Sequence, residues 1–549
     1  PGETKADAQQ EQINQMQPDE RLQYKIIHRV KEDVEKDVDE LIALAQPGQT
    51  RNERAVEILN KVLLPAMKEV GDKFGSGELI LPFVLQSAEV MKKTVSYLEN
   101  YLERQEGASK GTMVLATVYG DVHDIGKNLV KTILSNNGYN VVDLGKQVPA
   151  ETIISKAVEI KADAIGLSAL LVSTSKQMPL IINELQRRGL TIPVLIGGAA
   201  INQRFGRRIL VTEDNTIYEP GVFYCKDAFE GLSTMDALAE PESRNDILEK
   251  IKRESEMEHE RAAGEIKAEV VATRSSTPPA EFIPKAPFWG AKVVESMPLE
   301  IVFKHLSKNE LFRLSWGAKN THGEDWTKLQ AEYELKLDEM TRAALTEKWL
   351  QPRGVYGYWP AQSAGNDLVL YDLASLTSGD LKELTRFSFP RQIGGESLCL
   401  ADYFAPVESG KMDVVAFQVV TVGQAATDRF DRLQAAADYT EAYFTHGLAV
   451  QTAEAAADYL HKHIRKELKL EKEQGKRYSW GYPAIPEVAD HRKVFDLLPA
   501  EKELGMSLTE AFQMVPEQST CAIIVHHPKA SYYNIGESRV DQLMRAKDA

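Results

Sequence analysis

The chain has 549 residues, of which 81 are Asp or Glu and 65 Lys or Arg, a formal charge of −16, with 43% hydrophobic and 27% charged residues. This is the composition of soluble globular protein long enough for several domains, and its acidity argues against a nucleic-acid or anionic-membrane surface. No apolar run approaches the roughly 20 residues that span a bilayer, and Cys225, Cys399 and Cys521 are too scattered for a disulfide framework or a local zinc site, so a reduced, cytoplasmic setting is expected.

Residues 1–20 read as a polar tail or cut linker with no signal-peptide core. Residues 21–107 then repeat apolar positions at helical spacing: Ile26, Val30, Val34, Val38 and Leu41; Ile58, Val62, Leu63, Met67 and Val70; Val84, Leu85, Ala88, Met91, Val95 and Leu98. Breaks near 46–49 and 75–77 divide them, which predicts an all-α helical bundle. Alone, such a bundle is a packing module without chemistry. From 108 to 238, strand runs at 113–118, 140–144, 164–168 and 193–196 alternate with helical stretches, predicting an α/β doubly wound, flavodoxin-like parallel sheet. Residues 239–287 read as a linker: a charge-rich, solvated helix over 240–267, then Ser275-Ser276-Thr277-Pro278-Pro279. Residues 288–549 mix a long amphipathic helix over 435–470 with strands at 368–371, 414–420 and 522–525, an α+β domain.

The chemistry concentrates where the first strand of the parallel sheet ends, in Asp121-Val122-His123-Asp124-Ile125-Gly126. Ligands of doubly wound sheets bind at that carboxyl edge, and a neutral imidazole there can offer a lone pair to a metal. Asp121 can accept the other ring N–H and fix the tautomer, and Gly126 removes a side chain where a bulky cofactor approaches. Six such residues alone are as readily an ordinary polar turn. Two further strand ends carry Gly166-Leu167-Ser168-Ala169-Leu170 and Ile196-Gly197-Gly198-Ala199, however, and no Gly-x-Gly-x-x-Gly follows the first strand, which disfavours a dinucleotide site.

Together Asp-x-His-x-x-Gly, Ser-x-Leu and Gly-Gly resemble the cobalamin-binding signature. The preceding bundle, with Val70-Gly71-Asp72-Lys73-Phe74-Gly75 and Leu81-Pro82, resembles the cap of the cobalamin module in the cobalamin-dependent methionine synthase family. That resemblance implies His123 as the lower cobalt ligand, with Asp121 orienting it and Thr174, where the family commonly has serine, bonding to Asp121. Gly120, Val122, Asp124 and Gly126 would line the corrin beside them. Ser168, Leu170, Val172, Gly197, Gly198 and Ala228 would follow the nucleotide tail, and Phe74, Leu81 and Val84 would cover the upper face. Asn60 stands where many relatives have a glutamate touching the cofactor.

The last domain resembles the family's reactivation domain through Gln351-Pro352-Arg353-Gly354-Val355-Tyr356-Gly357, Leu400-Ala401-Asp402-Tyr403, Ala453-Glu454-Ala455, and Arg477-Tyr478-Ser479-Trp480-Gly481-Tyr482-Pro483-Ala484-Ile485-Pro486. The resemblance implies S-adenosylmethionine binding by Arg477, Tyr482, Ala484, Glu454, Glu471, Tyr532 and Tyr533, with the guanidinium on the methionyl carboxylate. An Asp-Trp pair of the family is matched by Ser315-Trp316, without the carboxylate.

The implied chain is a fragment of a monomeric methyltransferase that carries a methyl group on cobalamin (methylcobalamin) and repairs oxidised cofactor with S-adenosylmethionine and an electron. A flavodoxin-type donor, and homocysteine (zinc-bearing) and folate domains elsewhere in the full-length protein, follow from the same resemblance; no nucleic acid or membrane does. Two alternatives share the bundle and sheet. A corrinoid carrier protein should end near Leu238, and a cobalamin light sensor should carry a DNA-binding module.

Overall fold

The computed structural model describes residues 13, 15–101, 109–170, 172–199, 201–264, 275–278, 280–378, 380–392, 396–471, 474–533 and 535. The amino-terminal bundle comprises α1 (Pro18–Ile27), α2 (Val34–Ala43), α3 (Arg51–Ile58), α4 (Leu64–Gly75) and α5 (Leu81–Leu98). Thr50 and Glu53 form a capping box that starts α3. A π turn over Leu59–Leu63 joins α3 to α4, where Leu64 N–H reaches back to Leu59 O. Pro65, with no N–H to give, relaxes the α-helical ladder at that point. Most of the apolar positions read as helical repeats are buried, Val38, Leu63, Met67, Val84 and Met91 among them, while Val30 and Val95 are only half-buried.

The next domain alternates β1 (Thr112–Thr117), α6 (Ile125–Asn136), β2 (Asn140–Asp143), α7 (Ala150–Glu159), β3 (Ala164–Ser168), α8 (Gln177–Arg187), β4 (Val194–Gly197), α9 (Gln203–Ile209), β5 (Val222–Tyr224) and α10 (Ala228–Ala239). All its strand pairs are parallel and the order is β2-β1-β3-β4-β5, the flavodoxin-like arrangement. Helices cover both faces, so β1, β3 and β4 are almost wholly apolar. Strand order reverses beside β1, which puts the loop after β1 at the switch point.

The charge-rich helix α11 (Pro241–Gly264) is not simply solvated. Ile251 and Ser255 are buried, Ser255 Oγ donates to Arg207 O at 2.6 Å, and Arg207 and Arg208 pair with Glu254 and Glu258. Its charges are partly partners for α9, and the helix belongs physically to the parallel-sheet domain.

The carboxyl-terminal domain is built on an antiparallel sheet in the order β11-β14-β10-β7-β8-β9. These strands are β7 (Arg353–Ala364), β8 (Asp367–Tyr371), β9 (Glu383–Ser388), β10 (Asp413–Thr421), β11 (Lys476–Ser479) and β14 (Ser519–Val525), and β6 (Gly290–Val294) shares the far edge of β7 with β8. The 29-residue α14 (Tyr439–Glu467) crosses it, and α12 (Gly323–Glu347) and α13 (Gln424–Ala435) pack with α14 in one apolar cluster. The alanine-rich middle of α14 lets it lie close to the sheet, so Gln418 on β10 donates to Ala457 O at 3.1 Å. A small hairpin, β12 (Ser507–Leu508) and β13 (Met514–Val515), projects from this domain. Among the described residues no helix is long and apolar enough to cross a membrane.

Gly198 shows how tightly the edge of the parallel sheet is packed. It sits at φ +124°, and a Cβ placed on it would lie 1.9 Å from Ala169 O. A Cβ at Gly126, by contrast, would meet nothing within 4 Å. Gly198→Ala is therefore expected to cost at least about 3 kcal/mol, because backbone must move. Gly126→Ala should leave thermal unfolding of the ligand-free chain within about 0.5 kcal/mol of the parent, and melting curves of both variants check the contrast.

Candidate functional site

At the end of β1 the chain turns through Gly120, at φ +78°, into Asp121. The Asp121 carboxylate is fully buried and collects four donors: His123 Nδ1 at 2.8 Å, His123 N–H at 3.0 Å, Leu170 N–H at 2.8 Å and Thr174 Oγ1 at 2.7 Å. Burial alone would raise its pKa, yet the bonds from His123 and Thr174 hold it below the usual carboxylate value. Burial would likewise lower the His123 pKa, but the Asp121 bond, with Glu517 and Asp124 nearby, raises it. The contact commits Nδ1 to Asp121 and directs Nε2 outward from a ring that remains 23% exposed. The predicted trio Asp121, His123 and Thr174 is thus assembled as one relay.

The other residues of the sheet edge gather around it. Ser168 and Gly197 end β3 and β4 in register with each other, and Ala228 begins α10, buried. Leu170 is 39% exposed and contributes its backbone N–H to Asp121. Val172 opens the short helix Val172–Ser175, and its side chain lies outside the described residues. The residues suit a corrinoid: an imidazole whose Nδ1 is held by a buried carboxylate, leaving Nε2, with open space over Gly126 and a Gly197-Gly198 edge where missing side chains let neighbouring backbone pack close.

The predicted upper-face residues lie elsewhere. Phe74 packs on Phe229 at 5.5 Å between ring centroids, and Val84 is buried inside the bundle. Leu81 lies beside Gly317 and Tyr443, in a narrow apolar pocket with Leu129 and Phe430. Asn60 is exposed in the π turn. The histidine loop is met by the carboxyl-terminal domain instead. Val122 N–H donates to Gln513 Oε1 at 3.2 Å, Thr509 Oγ1 donates to Gly120 O at 3.0 Å, and a Cβ on Gly120 would strike Ala511. His446 and Glu517, paired at 3.4 Å, stand near His123. Nothing in the sequence marks Thr509, Gln513, His446 or Glu517, because each acts across a domain boundary.

A second constellation lies on the carboxyl-terminal domain. Arg477 on β11 donates from Nη2 to Glu454 on α14 at 2.6 Å, while its buried Nη1 has no hydrogen-bond partner. Tyr482 is beside Glu454, with Glu310 also near, and is 58% exposed. Ala484 is buried, Tyr533 is almost buried, and Tyr532 is 69% exposed with its ring against Tyr478. Glu471 is exposed. His461, unmarked in the sequence, has a buried Nε2 without a partner, and burial beside Arg477 and Arg465 pushes its pKa down to about 4. Ser315 and Trp316 are structural: Ser315 Oγ accepts from Gln451 Nε2, and the fully buried Trp316 donates to Phe444 O. One arm of the Arg477 guanidinium is thus uncommitted, a donor of the kind a carboxylate accepts from.

Three family models match the chain: B12 binding domain over residues 19–99, B12 binding domain over 111–232, and the activation domain of vitamin B12 dependent methionine synthase over 318–548. The chain thus carries cobalamin-binding and activation modules of the kind that the vitamin B12 dependent methionine synthase models describe. The methionine synthase of Mycobacterium tuberculosis (strain ATCC 25618 / H37Rv) is 37% identical over 566 aligned positions, and that of Mycobacterium leprae (strain TN) 35% over 573. Each alignment covers 94% of this chain and 46% of the relative, so the chain spans about half the length of these methionine synthases. A solved MetH reactivation domain bound to AdoHcy is 28% identical, with a TM-score of 0.41, over 50% of this chain and 88% of that one.

Two predictions follow from the side chains of these modules. Thr174→Ala should destabilise the ligand-free chain by about 1–2 kcal/mol, because Asp121 loses a buried donor, while Thr174→Ser should stay within about 0.5 kcal/mol; thermal unfolding decides. His491, buried in the activation domain, has its pKa pushed down to about 4 by burial, and His461 is held equally low. Both are neutral when folded and take up a proton on unfolding below the ordinary value of about 6.5. Unfolding therefore becomes easier as pH falls from about 6.5 towards 4, so the activation domain's melting temperature should drop through that window, and less so in His491→Gln.

Proposed function

We propose that the chain is the cobalamin-holding and reactivating portion of a cobalamin-dependent methionine synthase, a methyltransferase. The reading rests on one juxtaposition: the Asp121–His123–Thr174 relay lies directly beneath an activation domain whose Arg477 has an uncommitted donor. Bound cobalamin supplies a nucleophilic cobalt that takes up and passes on a methyl group. His123 Nε2 would hold it, with the Nδ1 proton kept in place by Asp121 and the carboxylate steadied in turn by Thr174 and Leu170 N–H. Proton uptake by the relay would favour release of the imidazole. Gly120, Val122, Asp124 and Gly126 would lie along the corrin, and Ser168, Val172, Gly197, Gly198 and Ala228 along the tail. Phe74, Leu81 and Val84 belong to a cap that would exclude water once it swings over the site.

The activation domain would bring S-adenosylmethionine, its carboxylate on Arg477 and its remaining parts bordered by Glu454, Glu471, Tyr482, Ala484, Tyr532 and Tyr533. Orientation and exclusion of water are then the protein's main contributions. A flavodoxin-type donor would supply the repair electron. Homocysteine and folate domains of the full-length protein, the former with its zinc, would be the other methyl-transfer partners, in a monomeric cytoplasmic enzyme.

Methyl-labelled S-adenosylmethionine added to the chain with cobalamin and a reductant should place label in the cobalamin fraction. Arg477→Ala should lose at least about tenfold of that transfer, the worth of one charge-assisted hydrogen bond. Cobalamin binding without label transfer would leave only a corrinoid carrier. His123→Gly should keep cobalamin but change its absorption spectrum, and an unchanged spectrum would remove the axial-ligand assignment.

A further inference from the structure

The cap does not only pack on the cobalamin domain; it also grips the activation domain through one buried carboxylate. Glu89, on α5, is 7% exposed. Its Oε1 accepts the backbone N–H of Thr440 at 2.8 Å, and its Oε2 pairs with Lys31 at 2.5 Å. Thr440 is the second residue of α14, where a helix has no N–H acceptor of its own and where negative charge is favoured. Asp438 covers Glu441 N–H from within the domain, so Glu89 completes the helix end from outside it. Lys92, one turn along α5, donates to Tyr439 Oη at 2.9 Å. Leu81 and Pro82 close the contact against Gly317.

We propose that Glu89 is the anchor of a parking dock, which holds the cap on the amino-terminal end of α14 and away from the His123 loop. This rests on the proposed function, in which the cap alternates between shielding the corrin and leaving it open. The energetics favour a two-position device. While docked, Glu89 is satisfied by an ion pair and a helix-terminal N–H; once the cap leaves, Thr440 N–H loses a buried acceptor and both groups must be rehydrated. A contact that exists in only one domain arrangement biases the equilibrium by its own free energy. Glu89 therefore sets how often the activation domain has the histidine loop to itself.

The test uses the whole chain with spin labels on exposed positions of the cap (Lys36→Cys) and of α12 (Lys328→Cys), the three native cysteines replaced by serine or alanine, and distances read by pulsed electron resonance. Measured without cobalamin, the docked population should be dominant in the parent and fall about tenfold relative to undocked in Glu89→Gln, the size of losing one charge-assisted contact. Lys92→Ala, an exposed change that does not threaten the cap's fold, should shift the same balance by a smaller factor. Distance distributions unchanged in both variants, with melting curves showing the cap folded, would overturn the dock. Cobalamin titration of the same samples separates the two readings. Failure of the parent to bind cobalamin would strike at the proposed function, whereas parent-like binding beside a changed distance distribution would support the dock alone.

Discussion

A buried carboxylate is costly unless its charge is met by donors, and Asp121 is met by four. Those donors come from its own loop, from the end of β3 and from the helix after it, so satisfying one charge pins three segments of the sheet edge together. The His123 ring has no comparable freedom to choose. Its Nδ1 is fixed by the bond to Asp121, which leaves Nε2 as the nitrogen open to another partner. The orientation of the imidazole here follows from satisfying a buried charge.

The same loop is also where the activation domain takes hold. Thr509 and Gln513 bond to the backbone of Gly120 and Val122, one residue on either side of Asp121. The absence of a Cβ at Gly120 admits Ala511. His491 in turn bonds to Phe512 O and steadies the hairpin from behind. A shift of the relay would thus be felt by the docked domain without any side chain travelling far.

Much of this was legible in the sequence where the signal was local. The helical repeats of the bundle, the alternation of strands and helices, and Asp121, His123 and Gly126 announced themselves because each depends on near neighbours. Thr174, Arg477 and Glu454 were reached through resemblance, and the structure brings each to its partner. What stayed hidden lies between domains. Glu89, Thr509, Gln513 and Glu517 are polar residues on elements that already pack correctly within their own domains, so their patterns carry no trace of a partner hundreds of positions away. The helix over 241–264 misled for a related reason: a charge paired with Arg207 reads the same in a sequence as one facing water. Phe74 and Leu81, expected over the corrin, pack instead on Phe229 and beside Gly317, neighbours in other domains that no local pattern announces.

Helix α14 explains how these separate contacts can be coupled. Its 29 residues form a rod of roughly 43 Å at 1.5 Å per residue. Along it, in order, Thr440 meets the cap at Glu89, His446 pairs with Glu517 near His123, Gln451 bonds to Ser315, and Glu454 holds Arg477. From His446 to Glu454 is about two helical turns, or some 12 Å. A rigid element carrying the cap dock at its end, the histidine contact two turns in, and the proposed methyl-donor site beyond cannot adjust one without repositioning the others. The cap contact, the approach to His123 and the Arg477 side chain are therefore coupled through one helix, and the alanines that seat α14 on the sheet keep that helix in place.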